Sequence, residues 1–258
     1  MKVIKCDLPA EHKELQILTL ADWHMGDPRS DFKRIQEWLD YLEKTPNAYA
    51  IINGDLMDCA TRTSVGDIYS THLNPMEQLK RCVELFEPVK HKLLAVDGGN
   101  HEHRIWKQDG IDVTAMMCAQ LGLDCYSETG AFLFVRFGAM PARRYHGRKC
   151  CYTIYAQHGS GGGRKEGGKI QRLADLAAIC DADVYIHSHT HLPAVFKTGY
   201  FRVDTSNSAI AHVTKLFVNT SATLEYGGYA EGQGMKPTST DTPLIILDGT
   251  KKRATALL

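Results

Sequence analysis

The stretch "LQILTLADWHMGD", residues 15–27, runs from a short apolar segment straight into a polar cluster at Asp22. A run of that length, too short for a helix and broken so abruptly, reads as a buried strand that delivers polar side chains at its carboxyl end. The next segment, "DFKRIQEWLDYLEK" (31–44), sets Ile35, Trp38, Leu39 and Leu42 at helical spacing, with Asp31 near the start where an acidic group suits the helix dipole. A second apolar strand, "YAIINGDLMD" (49–58), ends in Gly-Asp. The product is a strand-helix-strand unit with acidic residues at both strand ends.

Outward from this unit the pattern repeats. Residues 74–90 read as a helix, 91–103 as a strand breaking into the polar turn "GGNHEH", and 111–121 as a further helix. Beyond them the character changes to strands: "AFLFVRFG", "KCCYTIYAQHG", "VYIHSH", "AVFKTGYFRV", "KLFVNTSA" and "PLIILDG", with one short helix at 170–180. An α/β first half and a strand-rich second half, at 258 residues, predict a single domain with a large core spanning 1–258.

Composition narrows the function classes. Thirty basic and thirty acidic residues cancel, so no global field draws the chain to nucleic acid or to an anionic membrane. The opening "MKVIKCDLPAEHKELQ" lacks the apolar core of a signal peptide, and no stretch approaches the roughly 18 apolar residues of a membrane helix, so a cytoplasmic protein without a membrane partner is expected. Eight cysteines without a Cys-x-x-Cys pair read as buried thiols rather than a zinc knuckle or a redox site. Twelve histidines are the unusual feature.

Many of those histidines stand at strand ends. Asp22 and His24, Asp55 and Asp58, Asn100 and His101, His158, and His189 with His191 all follow apolar runs. Carboxylate, imidazole and amide oxygen without thiolate suit manganese, iron, cobalt, nickel or zinc. These are more donors than one catalytic ion takes, whereas a pair of ions about 3.5–4 Å apart can use six or more with one shared group. Asp55 is a natural shared carboxylate. Asp22 and His24 are two residues apart, as are His189 and His191, so each pair can aim at one point.

"Asp22-Trp23-His24", "Gly54-Asp55-Leu56-Met57-Asp58", "Gly99-Asn100-His101-Glu102", "His158-Gly159" and "Ser188-His189-Thr190-His191" resemble, in order and spacing, the five motif blocks of the calcineurin-like metallophosphoesterases. Ser188 stands where that family usually has glycine. The resemblance implies a four-layer αββα sandwich, two mixed β-sheets flanked by helices, with a dinuclear centre at the strand ends. It implies that Asp22, His24 and His191 hold one divalent ion, that Asn100, His158 and His189 hold the other, and that Asp55 bridges them. His101 matches the non-ligand histidine that contacts the substrate phosphate and can protonate the leaving oxygen. Two divalent ions carry four positive charges; the two aspartates offset two and a bridging hydroxide one, leaving a single positive charge to attract a phosphoester for in-line attack.

The remaining polar residues have plainer readings. Asp58 is expected to orient a histidine rather than bind an ion, and His103 and Arg104 to lie on a solvent-facing turn, with Arg104 a substrate contact if a diester's second substituent lies on that side. The Gly-rich "GSGGGRKEGGK" (159–169) lacks the ending of a nucleotide-binding loop and reads as a flap bringing Arg164 and Lys165 near the mouth. "ARRYHGRK" (142–149) reads as a hairpin tip, and Cys150 and Cys151 as strand residues on opposite faces. In "YIHSHTHLP" (185–193), strand alternation alone nominates His187 with its two neighbours; the resemblance leaves it a buried supporting residue.

The expected activity is therefore phosphoester hydrolysis. A diester is favoured over a monoester because one net positive charge leaves little excess for a dianion and no extra arginine clamp accompanies the motifs. Alternatives are a DNA or RNA nuclease of the same family, using "ARRYHGRK" with Arg164 and Lys165 as a tracking patch, a phosphomonoesterase or protein phosphatase, and a metal-bound scaffold without catalysis. Neutral charge counts against the nuclease, and the complete set of motif residues against the scaffold. Oligomeric state stays open, a homodimer among the options.

Overall fold

In the computed structural model, which describes residues 1–62, 64, 68–141 and 147–258, apolar strands stack into two sheets because their side chains are buried on both faces. The first sheet has the order β12-β11-β2-β3-β4-β5. It uses β2 (Glu14–Leu20), β3 (Ala48–Asn53), β4 (Leu93–Asp97), β5 (Tyr126–Ser127), β11 (Leu244–Asp248) and β12 (Ala254–Leu257). Strands β2 to β5 run parallel, and β11 and β12 join antiparallel. The second sheet has the order β1-β6-β7-β8-β10-β9. It comprises β1 (Lys2–Asp7), β6 (Ala131–Phe137), β7 (Cys150–Gln157), β8 (Val184–His187), β9 (Ala194–Asp204) and β10 (Ala209–Asn219), again mixed in direction.

Alternation along β2 shows the layering. Leu15 and Ile17 enter the core between the sheets with Leu133, Ile154 and Val218, while Leu18 and Leu20 turn to the helices. Those helices are α1 (Phe32–Lys44), α2 (Pro75–Phe86) and α4 (Val113–Leu121), contributing Ile35, Leu39, Phe86 and Met117 among others. Helix α5 (Glu166–Asp175) covers the far face of the second sheet with Leu173 against Tyr185 and Phe217. The architecture is thus the expected four-layer αββα sandwich. Each fully buried leucine or isoleucine contributes about 1.5–3 kcal/mol, so three apolar layers hold the strand ends rigid.

Helix limits follow local chemistry. Asp31 caps α1 by accepting from the Arg34 N–H (3.0 Å), and Asn74 with Glu77 closes a capping box around Pro75 at the start of α2. That helix stops at Phe86, short of residue 90, because Pro88 has no N–H to offer, and a 3-10 turn (Glu87–Lys92) replaces it. Two expectations change. Residues His103–Asp109 form a short helix, α3, in place of the turn; it buries no side chain and is too brief to show a period. The helix expected at 170–180 starts at Glu166, so the Gly-rich loop is shorter than its composition suggests. The short α6 (Gly228–Gly232) follows β10.

The chain after residue 191, which carries no motif, completes both sheets. Most of "ARRYHGRK", residues 142–146, lies outside the described residues. All eight cysteines are free thiols, six of them buried. Among the described residues no helix is long and apolar enough to cross a membrane.

Candidate metal centre

Every motif block sits just past the carboxyl end of a strand. Asp22 and His24 follow β2, Asp55 and Asp58 follow β3, Asn100 and His101 follow β4, His158 follows β7, and His189 and His191 follow β8. These strands are parallel within each sheet, so their ends gather on one side of the sandwich. Asn53, fully buried at the tip of β3, ties the sheets together: its side-chain amide donates to the Gln157 carbonyl (3.0 Å) and the Ser188 hydroxyl (2.6 Å). Ser188, where the resemblance leads one to expect glycine, is fully buried and takes part in that contact.

The paired residues do not continue as strands. Asp22, His24, Asp55, His189 and His191 all take positive φ, between 47° and 66°. Aspartate and histidine enter this left-handed region more readily than most side chains, and the cluster of strained positions marks a functional site. The two pairs therefore converge through alternate left-handed residues and not through the pleat of a fraying strand.

Convergence gives two sets of donors. In the first, Asp22, His24 and His191 bring ligand atoms within 4.8 Å of one another. The His24 and His191 Nε2 atoms are 3.2 Å apart, and His191 Nε2 is 3.2 Å from Asp22 Oδ1. Asp22 Oδ2 accepts from the His189 N–H (3.1 Å) and the Thr220 hydroxyl (3.4 Å), while Oδ1 is buried without a hydrogen-bond partner. Burial, and then the neighbouring His101, hold His24 well below the usual histidine range, so it is neutral with a lone pair to offer.

The second set is Asp55, His158 and His189, with Asn100 beside it. His158 Nδ1 donates to the Asn53 carbonyl (2.7 Å), which turns Nε2 toward Asp55 Oδ2 (3.2 Å) and Asn100 Oδ1 (3.0 Å). Burial works against charge on His158, but the Asp55 carboxylate outweighs it and raises the imidazole to about 10. Burial also works against charge on Asp55, yet His158 and His101 keep it ionised, well below the usual carboxylate range. His189 is pushed down to about 4 by burial and by His158.

A buried carboxylate oxygen that accepts no hydrogen bond and faces two imidazole nitrogens is an arrangement that a divalent cation completes. The donor set, oxygen and imidazole without sulfur, suits borderline divalent ions. The residues present therefore fit the implied ions.

A third group, His24, Asp58 and His101, converges on the other side of the His24 ring. His101 Nδ1 donates to Asp58 Oδ1 (3.0 Å), and Arg104 reaches both partners, Nη1 to the Asp58 carbonyl (3.0 Å) and Nη2 to His101 Nε2 (2.9 Å). Arg104 is consequently half-buried on α3, not on a solvent-facing turn. Burial disfavours charge on His101, but Asp55 and Asp58 overcome this and raise it, with Arg104 opposing. Arg164 is exposed in the bend before α5, and among the described residues no hydrogen bond or ion pair links it to these groups.

Reading by motif missed the residues that hold the loops. Glu102, inside "GNHE", is buried and accepts three backbone N–H groups, from Asp55 (3.1 Å), Met57 (2.9 Å) and Gly99 (3.0 Å). Burial and the Asp55 charge push it up to about 7. Gly99 and Gly54 permit the close approach: a Cβ on Gly99 would fall 2.1 Å from Asp55 Oδ1, and one on Gly54 2.6 Å from His158 Nδ1. At the end of β10, Asn219 accepts from His187 Nδ1 (2.8 Å) and Thr223 N–H donates to the Asp22 carbonyl (3.1 Å). Buried His187 belongs to none of the three convergent groups. A polar "NTS" ending an apolar strand was the available signal for the β10 residues.

Glu102→Ala is expected to leave those three buried donors unsatisfied and to cost about 3 kcal/mol. Denaturant unfolding of the ion-free protein measures it. A loss below about 0.5 kcal/mol, within the range of a neutral surface change, would show that Glu102 does not organise the loops.

Against this geometry, a profile of the calcineurin-like phosphoesterase family matches residues 15–193. Among solved structures, a predicted phosphoesterase from Streptococcus pneumoniae is similar at 14% identity, covering 95% of this chain and 89% of that one, with a TM-score of 0.40. Vacuolar Protein Sorting 29 from Cryptosporidium parvum is similar at 14% identity over 95% and 97% of the two chains, TM-score 0.45. A metallophosphoesterase from Sphaerobacter thermophilus is similar at 13% identity over 93% and 90%, TM-score 0.35. No curated protein matches the chain. The profile match spans every residue of the convergent sets, from Asp22 to His191, and the chain belongs to the calcineurin-like phosphoesterase family.

Proposed function

We propose that the protein hydrolyses phosphodiesters with two divalent ions, one held by Asp22, His24 and His191 and the other by Asn100, His158 and His189. Asp55 is the shared carboxylate. The observation that carries this reading is the pair of convergent sets at adjoining strand ends, with Asp22 Oδ1 buried and accepting no hydrogen bond. Its support for Asp55 as the bridge is that this carboxylate touches His158 and also acts electrostatically on His24 of the other set. Ions held there would supply Lewis acidity toward phosphoryl oxygens and lower the pKa of a bound water to about 7.

The chain's own residues divide the rest of the work. Asp58 fixes the His101 ring through Nδ1, so the Nε2 edge is the one that can exchange a proton with a leaving oxygen. Arg104 lies against that edge and is placed to meet a phosphoryl oxygen when substrate displaces it from His101. Two aspartates in the ligand sets, Asp22 and Asp55, would offset part of the charge of two bound ions and leave a small positive excess, which suits a monoanionic diester.

The test is metal analysis of the purified protein together with turnover of bis-(p-nitrophenyl) phosphate and p-nitrophenyl phosphate in manganese, nickel, zinc or iron. Diester turnover that exceeds monoester turnover and disappears with a chelator is expected. Equal or faster monoester turnover would overturn the diester preference, and absence of both metal and turnover would overturn the reading as a whole.

A further inference from the structure

Asn53 and Asp97 are register partners at the carboxyl ends of the parallel strands β3 and β4. Partners on adjacent strands lie about 4.8 Å apart and direct their side chains to one face. Here it is the face between the sheets, since the Asn53 amide reaches Gln157 of β7 and Ser188 just past β8. Both residues are buried, at 0% and 1% exposure. Three of their oxygens, Asn53 Oδ1 and both carboxyl oxygens of Asp97, have no hydrogen-bond partner among the described residues.

Three orphaned acceptors on neighbouring residues call for a cause, because nearly all buried polar atoms are hydrogen-bonded. The Asn53 amide cannot turn over to relieve them, for its nitrogen donates to the Gln157 carbonyl, which can only accept. Strand β4 packs over β6, on the far side of β7 from β8. An amide nitrogen drawn toward β7 and β8 therefore leaves its oxygen on the β4 side, where Asp97 stands. The backbone donor that acts on Asp97, the Ala131 N–H, is outside hydrogen-bond geometry. Burial pushes the Asp97 carboxyl well above the usual carboxylate range, and His158, Ala131 and the N-terminal amine lower it too little to compensate.

We propose that Asp97 is held as the neutral acid and donates its hydroxyl to Asn53 Oδ1, which makes it a positioning residue for the loops of the second set. One proton turns two facing acceptors into a donor and an acceptor, and it removes a buried charge that no donor solvates. The locked amide then holds the Gln157 carbonyl and the Ser188 hydroxyl, each one residue before a proposed ligand, His158 and His189. The Asn53 carbonyl meanwhile accepts from His158 Nδ1 (2.7 Å). The consequence for metal rests on the phosphoesterase reading above, whereas the proton does not.

Infrared spectroscopy of the ion-free protein tests the proton directly, at about pH 8.5, where Glu102, raised to about 7, is ionised. The C=O stretch of a protonated carboxyl is expected in the parent and should vanish in Asp97→Asn. Its absence from the parent, or its survival in the variant, would overturn the proposal. Manganese titration tests the positioning, with circular dichroism to confirm the fold. Asp97→Val, which keeps the bulk without a donor, should bind the second of two ions about 10-fold more weakly, as expected for loss of a residue that orients ligands. Asp97→Asn, whose amide N–H can donate to the same oxygen, should bind as the parent does. Equal losses in the two variants would mean that Asp97 acts as a charge, and parent affinity in Asp97→Val that it only fills space; either result overturns the proposal. An acid band that vanishes in Asp97→Asn, from a chain that binds no metal, would instead sink the phosphoesterase reading and leave Asp97 as the lock on the Asn53 amide.

Discussion

Asp55→Asn is expected to lose bound metal and diester turnover together, the latter by about 1000-fold or more. Asparagine preserves the shape, and its carbonyl oxygen can still accept the His101 N–H that Asp55 Oδ1 accepts at 2.8 Å. The loop therefore keeps its anchor. What disappears is the negative charge that balances His158 across 3.2 Å. Removing one partner of a buried charged pair costs about 3–5 kcal/mol, and here the lost charge would also weaken a ligand shared by both ions. Elemental analysis and turnover of bis-(p-nitrophenyl) phosphate check the result, with circular dichroism to confirm the fold. A variant holding two ions per chain and hydrolysing the diester at the parent rate would remove Asp55 from the centre.

That prediction was within reach of the sequence because Asp55 stands where an apolar strand breaks, and burial makes a charged residue there conspicuous. The same holds for Asp22, Asn100 and His158: each is the first or second polar residue after a strand whose side chains are buried. Legibility ends where identity depends on partners far away in the chain. Glu102 works through backbone N–H groups of Asp55 and Met57, about which residue type says nothing. Asn219 and Thr220 reach the site only because β10 pairs parallel with β8, a contact across 32 residues between Asn219 and His187.

Arg104 illustrates the second limit. A seven-residue helix with no buried side chain has no apolar period, so its residues read as a turn and its arginine as solvated. Only the three-dimensional placement of α3 beside the β3 loop turns that arginine toward Asp58 and His101. The left-handed backbone of Asp22, His24, His189 and His191 is the third limit. Residue spacing alone gives pairs two apart, which a pleated strand would also aim in one direction, so the same expectation followed from a different geometry.

His101→Ala, unlike Asp55→Asn, is expected to keep its metal and lose turnover by about 100- to 1000-fold, the range of a positioned general acid. The ring belongs to neither of the two proposed ion sets, so its removal subtracts no assigned ligand. Asp58 loses one donor but retains Arg104 Nη1 at 3.7 Å, so no buried charge is stranded. The loss should be greater for an alkyl diester than for a p-nitrophenyl ester, because only the more basic alkoxide needs a proton on departure. Since Asp55 and Asp58 raise the imidazole against burial, the protonated form persists to higher pH than in a free histidine. A general acid in that state loses rate as pH rises through its raised pKa, so the parent's alkaline limb should lie above about 6.5, the free histidine value, and vanish in the variant. Parent-like hydrolysis of an alkyl diester by His101→Ala, with the alkaline limb unchanged, would mean that the leaving oxygen takes its proton from another group.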